Sequence, residues 1–207
     1  MAETQQETPI SSGNGAGGRG PAATRCLCEG AIMVALAQVL SYIKFYEAPY
    51  GGSITLGMFP ILFFAYRWGV KSGILVGFTY GLLQLIFDGA YAWGWQSMLM
   101  DYLLAFTPLG LAGLFSGKKL QAKLGTFSLY AGFFLGAFGR FLIHFVAGAT
   151  IWKSYMPEDF TNPYFYSLVY NGGYMLPSTI LCLLMTFLLQ KSMKSYFLGE
   201  DIQHLKK

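Results

Sequence analysis

Six apolar runs separated by short loops occupy residues 26–43, 54–66, 70–87, 97–115, 126–151 and 167–189. This pattern leaves the chain little choice of environment, because about 20 helical residues cross a typical hydrocarbon core. Only 12% of the 207 residues are charged and 54% are hydrophobic, against about 25% charged in ordinary soluble domains. A chain of this size cannot bury that much apolar surface in one aqueous core, so the excess faces lipid. The expected fold is an all-α integral membrane protein, a bundle of six transmembrane helices. A soluble enzyme, a disordered chain and a nucleic-acid binder are excluded, despite the net charge of +4. The run 54–66 is short, so it is read as a broken, tilted or re-entrant helix and counted as a span on the charge pattern below.

Three regions follow. Residues 1–24 are rich in Gly and Ser and lack the apolar core of a signal peptide, so they are expected to be a disordered leader, native or left from expression. Residues 25–192 form the membrane domain, and 193–207 a cytoplasmic tail. Arg19, Arg25, Arg67, Lys71, Lys118, Lys119, Lys123, Lys191, Lys194, Lys206 and Lys207 fall on one side of the six spans, and only Lys44 and Lys153 on the other. By the positive-inside rule both termini are cytoplasmic and three loops face outward in a multi-pass cell-membrane protein. The outer loops are aromatic, glycine-rich and lightly acidic, and read equally as an interfacial aromatic belt or as a binding cup. The inner loops are short and basic, as plain connectors would be.

Small residues mark close helix approaches. Gly69, Gly73, Gly77 and Gly81 recur every fourth position in the third span, Gly132 and Gly136 form a pair in the fifth, and Ala31 and Ala35 one in the first. The glycine ridge suits packing within the bundle. The alanine pair lies on a helix that otherwise faces lipid, and suits docking to another membrane protein.

Ionisable groups at membrane depth are functional candidates. Asp101 lies in the fourth span; Arg140 and His144 lie in the fifth, where Arg140, His144, Gly148 and Trp152 share one helical face at i, i+4 spacing. Gly148 would leave room there for a flat ring. Asp101 and Arg140 could equally neutralise each other as a structural pair. Asn171, flanked by Tyr166 and Tyr170, is either a helix-capping amide or a reader of ring nitrogens and an exocyclic amine. One carboxylate, one imidazole, one amide and many aromatic faces suit a flat cationic or protonatable heteroaromatic ligand better than an anion. A different class, an intramembrane enzyme or proton-coupled channel using Asp101, Arg140 and His144, fits the same three residues. No phosphate-binding loop or hydrolase motif is present, and three cysteines (Cys26, Cys28, Cys182) and two histidines call for no disulfide framework, metal or cofactor.

The order Tyr50-Gly-Gly-Ser-Ile-Thr-Leu-Gly-Met-Phe-Pro-Ile61, Arg67-Trp-Gly, Asp101-Tyr-Leu-Leu-Ala-Phe, Gly110-Leu-Ala-Gly-Leu-Phe115, His144-Phe-Val-Ala-Gly148 with Trp152, and Tyr166-Ser-Leu with Asn171-Gly resembles the thiamin-specific S-components of bacterial energy-coupling factor (ECF) importers, over about residues 25–192. The resemblance implies high-affinity thiamin capture by a six-helix S-component, with no catalysis of its own. Its implied partners are a transmembrane coupling subunit, docked on an Ala-x-x-x-Ala stripe at Ala31 and Ala35, and two cytoplasmic ATPases. It further implies that Asp101 hydrogen-bonds or charge-compensates the ligand, with Tyr102 beside it. His144 and Trp152 would line or stack on the pyrimidine, Tyr166 and Asn171 would complete the pocket, and Tyr91 would come from an outer loop. Where some members carry a stacking Trp this chain has Gly52, so Trp93, Trp95 or Tyr50 is the expected cation-facing aromatic; Leu56 stands where some carry an acidic residue. A thiamin precursor or another flat heterocyclic vitamin is the alternative ligand for the same fold.

Overall fold

The computed structural model describes residues 20–88 and 92–205. Helix α1 (Pro21–Ser41) opens on a proline, whose missing N–H is unneeded in a first turn. A hairpin of β1 (Tyr46–Glu47) and β2 (Ser53–Ile54) pairs Tyr46 with Ile54 and Glu47 with Ser53. Helices α2 (Met58–Trp68), α3 (Val70–Asp88) and α4 (Gly94–Phe115) follow, then α5 (Lys118–Leu124), α6 (Phe127–Thr150), α7 (Pro163–Leu189) and α8 (Lys194–Phe197). Five of them, α1, α3, α4, α6 and α7, are long and apolar enough to cross a membrane.

The expected span 54–66 corresponds to α2, which has only 11 residues, about 16 Å at 1.5 Å per residue. Its residues Met58 and Pro60–Arg67 are buried, against α1, α3, α4 and α6. The sixth helix is thus an internal half-length piece, shielded from lipid by its neighbours, which relaxes the length requirement. Gly69, with φ +90°, adopts the left-handed turn that sends the chain from α2 straight into α3.

The glycine ridge packs inside the bundle. A Cβ on Gly77 would lie 2.5 Å from the Phe106 carbonyl oxygen, one on Gly81 2.5 Å from that of Tyr102, and one on Gly110 2.3 Å from the Ile74 nitrogen. The backbones of α3 and α4 are therefore in direct contact. Gly132 and Gly136 likewise bring α6 onto the Ala112 and Leu109 carbonyls of α4. By contrast α1 buries one face only, through Glu29, Gly30, Val34, Ala37 and Gln38. Ile32 and Val39 are about 60% exposed, as lipid-facing residues would be.

The region after residue 192, expected to be a tail, is packed over its described part. Phe197 and Ile202 are buried, and the Phe197 ring meets that of Phe63 at 4.6 Å. The reason is ionic. Arg67 is not a solvated loop charge; its side chain is fully buried and bound by Glu29 Oε1 at 2.5 Å and Asp201 Oδ1 at 2.9 Å. It also donates to the Tyr196 carbonyl and lies 3.7 Å from the Tyr196 ring centroid. Arg25 of α1 grips the same Asp201. One guanidinium thereby joins α1, α2 and the C-terminal cap.

Two outcomes follow for thermal unfolding of the detergent-purified protein. Gly110→Ala should lower the midpoint, because strain of about 1–3 kcal/mol has no side chain to absorb it, whereas Gly172→Ala, which meets no atom within 4 Å, should leave it unchanged or raise it slightly. Arg67→Met should destabilise by about 3–5 kcal/mol, since it leaves the buried Glu29 carboxylate without its cation and takes from Asp201 one of its two guanidinium partners. Hydrogen bonding from Arg67 holds the Asp201 carboxyl below its usual range. Its contribution is therefore complete above the ordinary aspartate value of about 3.9 and is lost as pH falls through the lower folded value. An Arg67→Met midpoint equal to wild type at neutral pH would contradict this role.

Candidate functional site

At the end of the bundle opposite the Arg67 cluster, a cavity opens among the hairpin, the last turns of α3 and α6, the first turns of α4 and α7, and the 3-10 turn Trp152–Tyr155. It encloses about 870 Å³ of atom-free space, part of it continuous with solvent. Asp101 and Tyr102 enter from α4 where the helix widens into a π winding over Met98–Leu104, a distortion frequent at functional sites.

Asp101 organises this space. Its Oδ2 accepts from Ser97 Oγ at 2.7 Å and from Trp152 Nε1 at 2.8 Å, and its Oδ1 lies 3.3 Å from His144 Nδ1. Arg140 Nε donates to His144 Nε2 at 3.3 Å. Nε2 is therefore the acceptor, the ring proton sits on Nδ1, and His144 is a neutral donor to Asp101. The anticipated Asp101–Arg140 pair does not form. His144 stands between them, and the Arg140 guanidinium lies over the Phe106 ring, 4.0 Å from its centroid. Asp101 thus bears a negative charge satisfied by neutral donors, with no Lys or Arg in ion-pair distance among the described residues. Asp88, the other carboxylate lining the cavity, has Lys44 at 4.0 Å.

The remaining walls are aromatic. Tyr166 and Tyr170 from α7, with ring centroids 5.8 Å apart, continue to Tyr174 at 5.8 Å. Tyr50 at the hairpin tip, in the left-handed region at φ 65°, meets Trp152 at 6.4 Å and Tyr155 at 5.1 Å. The hairpin is tied down by Tyr170, whose hydroxyl donates to the Pro49 carbonyl. Gly52 is required where it crosses α7, since a Cβ there would lie 2.5 Å from the Tyr174 ring.

Of the residues singled out in the sequence, Asp101, Tyr102, His144, Trp152, Tyr166 and Asn171 converge on this one cavity. Asn171 does so with its amide occupied: Nδ2 donates to the His144 and Ser167 carbonyls at 3.2 and 3.0 Å, and Oδ1 accepts from Tyr174 at 2.8 Å. It therefore staples α7 to α6. Gly148 opens no slot for a ring; a Cβ there would strike Ser167 Oγ at 2.3 Å, so it admits α7 instead.

Trp93 and Trp95 do not line the cavity. Trp93 rests edge-on against Tyr155 at 5.1 Å, behind the lining ring. Trp95 is 70% exposed, six residues before Asp101 and so on another helical face. Tyr50 and Tyr155 take the aromatic positions instead. Tyr91 lies outside the described residues. Sequence reasoning missed Ser97, Tyr155 and Tyr174; Ser97 at i−4 from Asp101 and Tyr174 at i+4 from Tyr170 were available as helical neighbours. Ala31 and Ala35 sit elsewhere, exposed along an apolar groove between α1 and α3 that also carries Val34, Phe64, Trp68 and Leu75.

Comparison with known proteins agrees with this architecture. The family model described as thiamine transporter protein (Thia_YuaJ) matches residues 27–198. The chain is 34% identical over 171 residues to the thiamine transporter ThiT of Bacillus subtilis, covering 79% of this chain and 88% of that protein. It is 33% identical over 187 residues to ThiT of Lacticaseibacillus paracasei, covering 84% and 91%. The solved structure of ThiT from Listeria monocytogenes superposes with a TM-score of 0.76 at 27% identity, covering 84% of this chain and 98% of that one. These matches span the membrane bundle from α1 to the C-terminal cap, and the chain belongs to the thiamine transporter protein family (Thia_YuaJ), a family of transporters and not of enzymes.

Proposed function

We propose that this chain captures thiamin at the outward end of the bundle and serves as the substrate-recognition subunit of an ECF importer in a bacterial cell membrane. The observation that carries the reading is Asp101. A carboxylate at membrane depth, satisfied only by neutral donors and walled by aromatic rings, leaves a place for a flat cation, and thiamin combines an aminopyrimidine with a permanently charged thiazolium. Trp152, held through its Nε1 by Asp101, offers its face to one ring. His144 and Tyr166 flank the same space, Tyr102 braces α4 by donating to the Asp88 carbonyl at 2.9 Å, and Asn171 positions α7. Tyr50 and Tyr155 supply the aromatic surface that Gly52 cannot.

Orientation rests on the charge asymmetry of the loops, which sets the cavity outside and both termini in the cytoplasm. The chain has no phosphate-binding loop, so ATP hydrolysis falls to a separate module of a membrane coupling subunit and two ATPases. The exposed alanines of α1 are the docking stripe for that coupling subunit, because small residues let a second helix approach closely.

Calorimetric titration of the detergent-purified protein with thiamin tests the site. Asp101→Asn and Trp152→Ala should each weaken binding by about 1–3 kcal/mol, roughly 5- to 150-fold; unchanged affinity in both would remove the assignment. Ala31→Trp or Ala35→Trp should leave thiamin binding intact and abolish uptake by cells that hold the energising module. Uptake at the wild-type rate would remove the docking claim.

A further inference from the structure

A second groove lies at the other end of the bundle, between the start of α6, the end of α7 and α8. We propose that it binds an anionic glycerophospholipid with a hydroxylated headgroup. Leu129 of α6, Phe187 of α7 and Phe197 of α8 make its apolar wall. The neighbouring Phe127 and Leu188 are exposed, so the wall continues into the lipid-facing surface, as acyl chains require.

Charge and hydrogen bonding identify the headgroup. Lys191, directly after α7, and Lys194, opening α8, both line the groove and are exposed. Neither has a carboxylate within ion-pair distance among the described residues. Two ammonium groups beside an apolar trough match a phosphodiester above its chains, and basic pockets between helices at the membrane boundary take such headgroups. The third polar group is Gln190, which also lines the groove and whose Oε1 is buried without a hydrogen-bond donor. A buried orphan acceptor calls for a partner, and a headgroup hydroxyl donates where a choline cannot. The phosphate on Lys191 and Lys194 and the hydroxyl on Gln190 together select a phosphatidylglycerol-like lipid. This site shares no residue with the Asp101 cavity and stands independently of the thiamin reading.

Native mass spectrometry of the full chain in detergent, titrated with phosphatidylglycerol or phosphatidylcholine of identical chains, tests the proposal. Wild type should retain phosphatidylglycerol about tenfold or more in excess of phosphatidylcholine. Lys191→Gln with Lys194→Gln should erase that preference, while Lys119→Gln with Lys123→Gln, outside the groove, should keep it. Ala122→Trp, at an exposed position lining the groove, should reduce adducts of both lipids by filling the trough, with an unchanged thermal midpoint showing that the fold is intact. Equal retention of the two lipids by wild type, a preference that survives the Lys191 and Lys194 substitutions, or a dimer in place of a lipid adduct would each overturn it.

Discussion

The carboxylate of Asp101 sits where water is scarce, and the surroundings of the cavity are arranged around it. An ion at such depth carries a desolvation penalty of several kcal/mol, here offset by donors from Ser97 on its own helix, His144 on α6 and Trp152 beyond α6. The bonds to His144 and Trp152 fix the distance between α4 and α6 and the angle of the Trp152 ring. Arg140 completes the set at one remove, because its bond to His144 Nε2 fixes which ring nitrogen faces Asp101. The guanidinium itself is spent on the Phe106 ring and leaves the carboxylate without a cation. That deficit is what a cationic ligand would fill.

The two ends of the bundle treat charge in opposite ways. Around Arg67 every charge has an opposite partner: Glu29, Asp201 and Arg25 close a network across α1, α2 and the C-terminal cap. Around Asp101 the pairing is left open. Between them the helices touch backbone to backbone at Gly77, Gly81 and Gly110. Side chains cannot rearrange where there are none, so α3 and α4 form a rigid floor under the cavity. The hairpin above it is held by fewer contacts, chiefly Tyr170 on Pro49 and the approach of Gly52 to Tyr174.

Much of this was legible in the sequence. Lipid exposure followed from apolar runs and scarce charge, the α3 ridge from glycine at every fourth position, and the alignment of His144 with Trp152 from i, i+4 spacing. What escaped was tertiary. The length of a run does not say whether a helix faces lipid; the short run read as a broken, tilted or re-entrant span is α2, which its neighbours bury. Arg67 looked like an inner-loop charge because its partner Asp201 lies 134 residues away. The packing of the C-terminal region escaped because Tyr196-Phe197-Leu198 and Ile202 are too few apolar residues, among too many charges, to mark a buried element. Trp93 and Trp95 drew attention by residue type, whereas the turn at Gly94 and the winding of α4 set their directions. Asn171 lines the cavity, but its amide is consumed by α6 and Tyr174, which only the packing of two helices reveals.

The most direct measurement is calorimetric titration of the purified protein with thiamin and with its uncharged analogue, in which carbon replaces the thiazolium nitrogen. If a cation completes the charge of Asp101, thiamin binds about tenfold or more tightly than the analogue, since opposite charges attract strongly at this low dielectric. Equal affinity for the two would contradict the charge-balance account of the site.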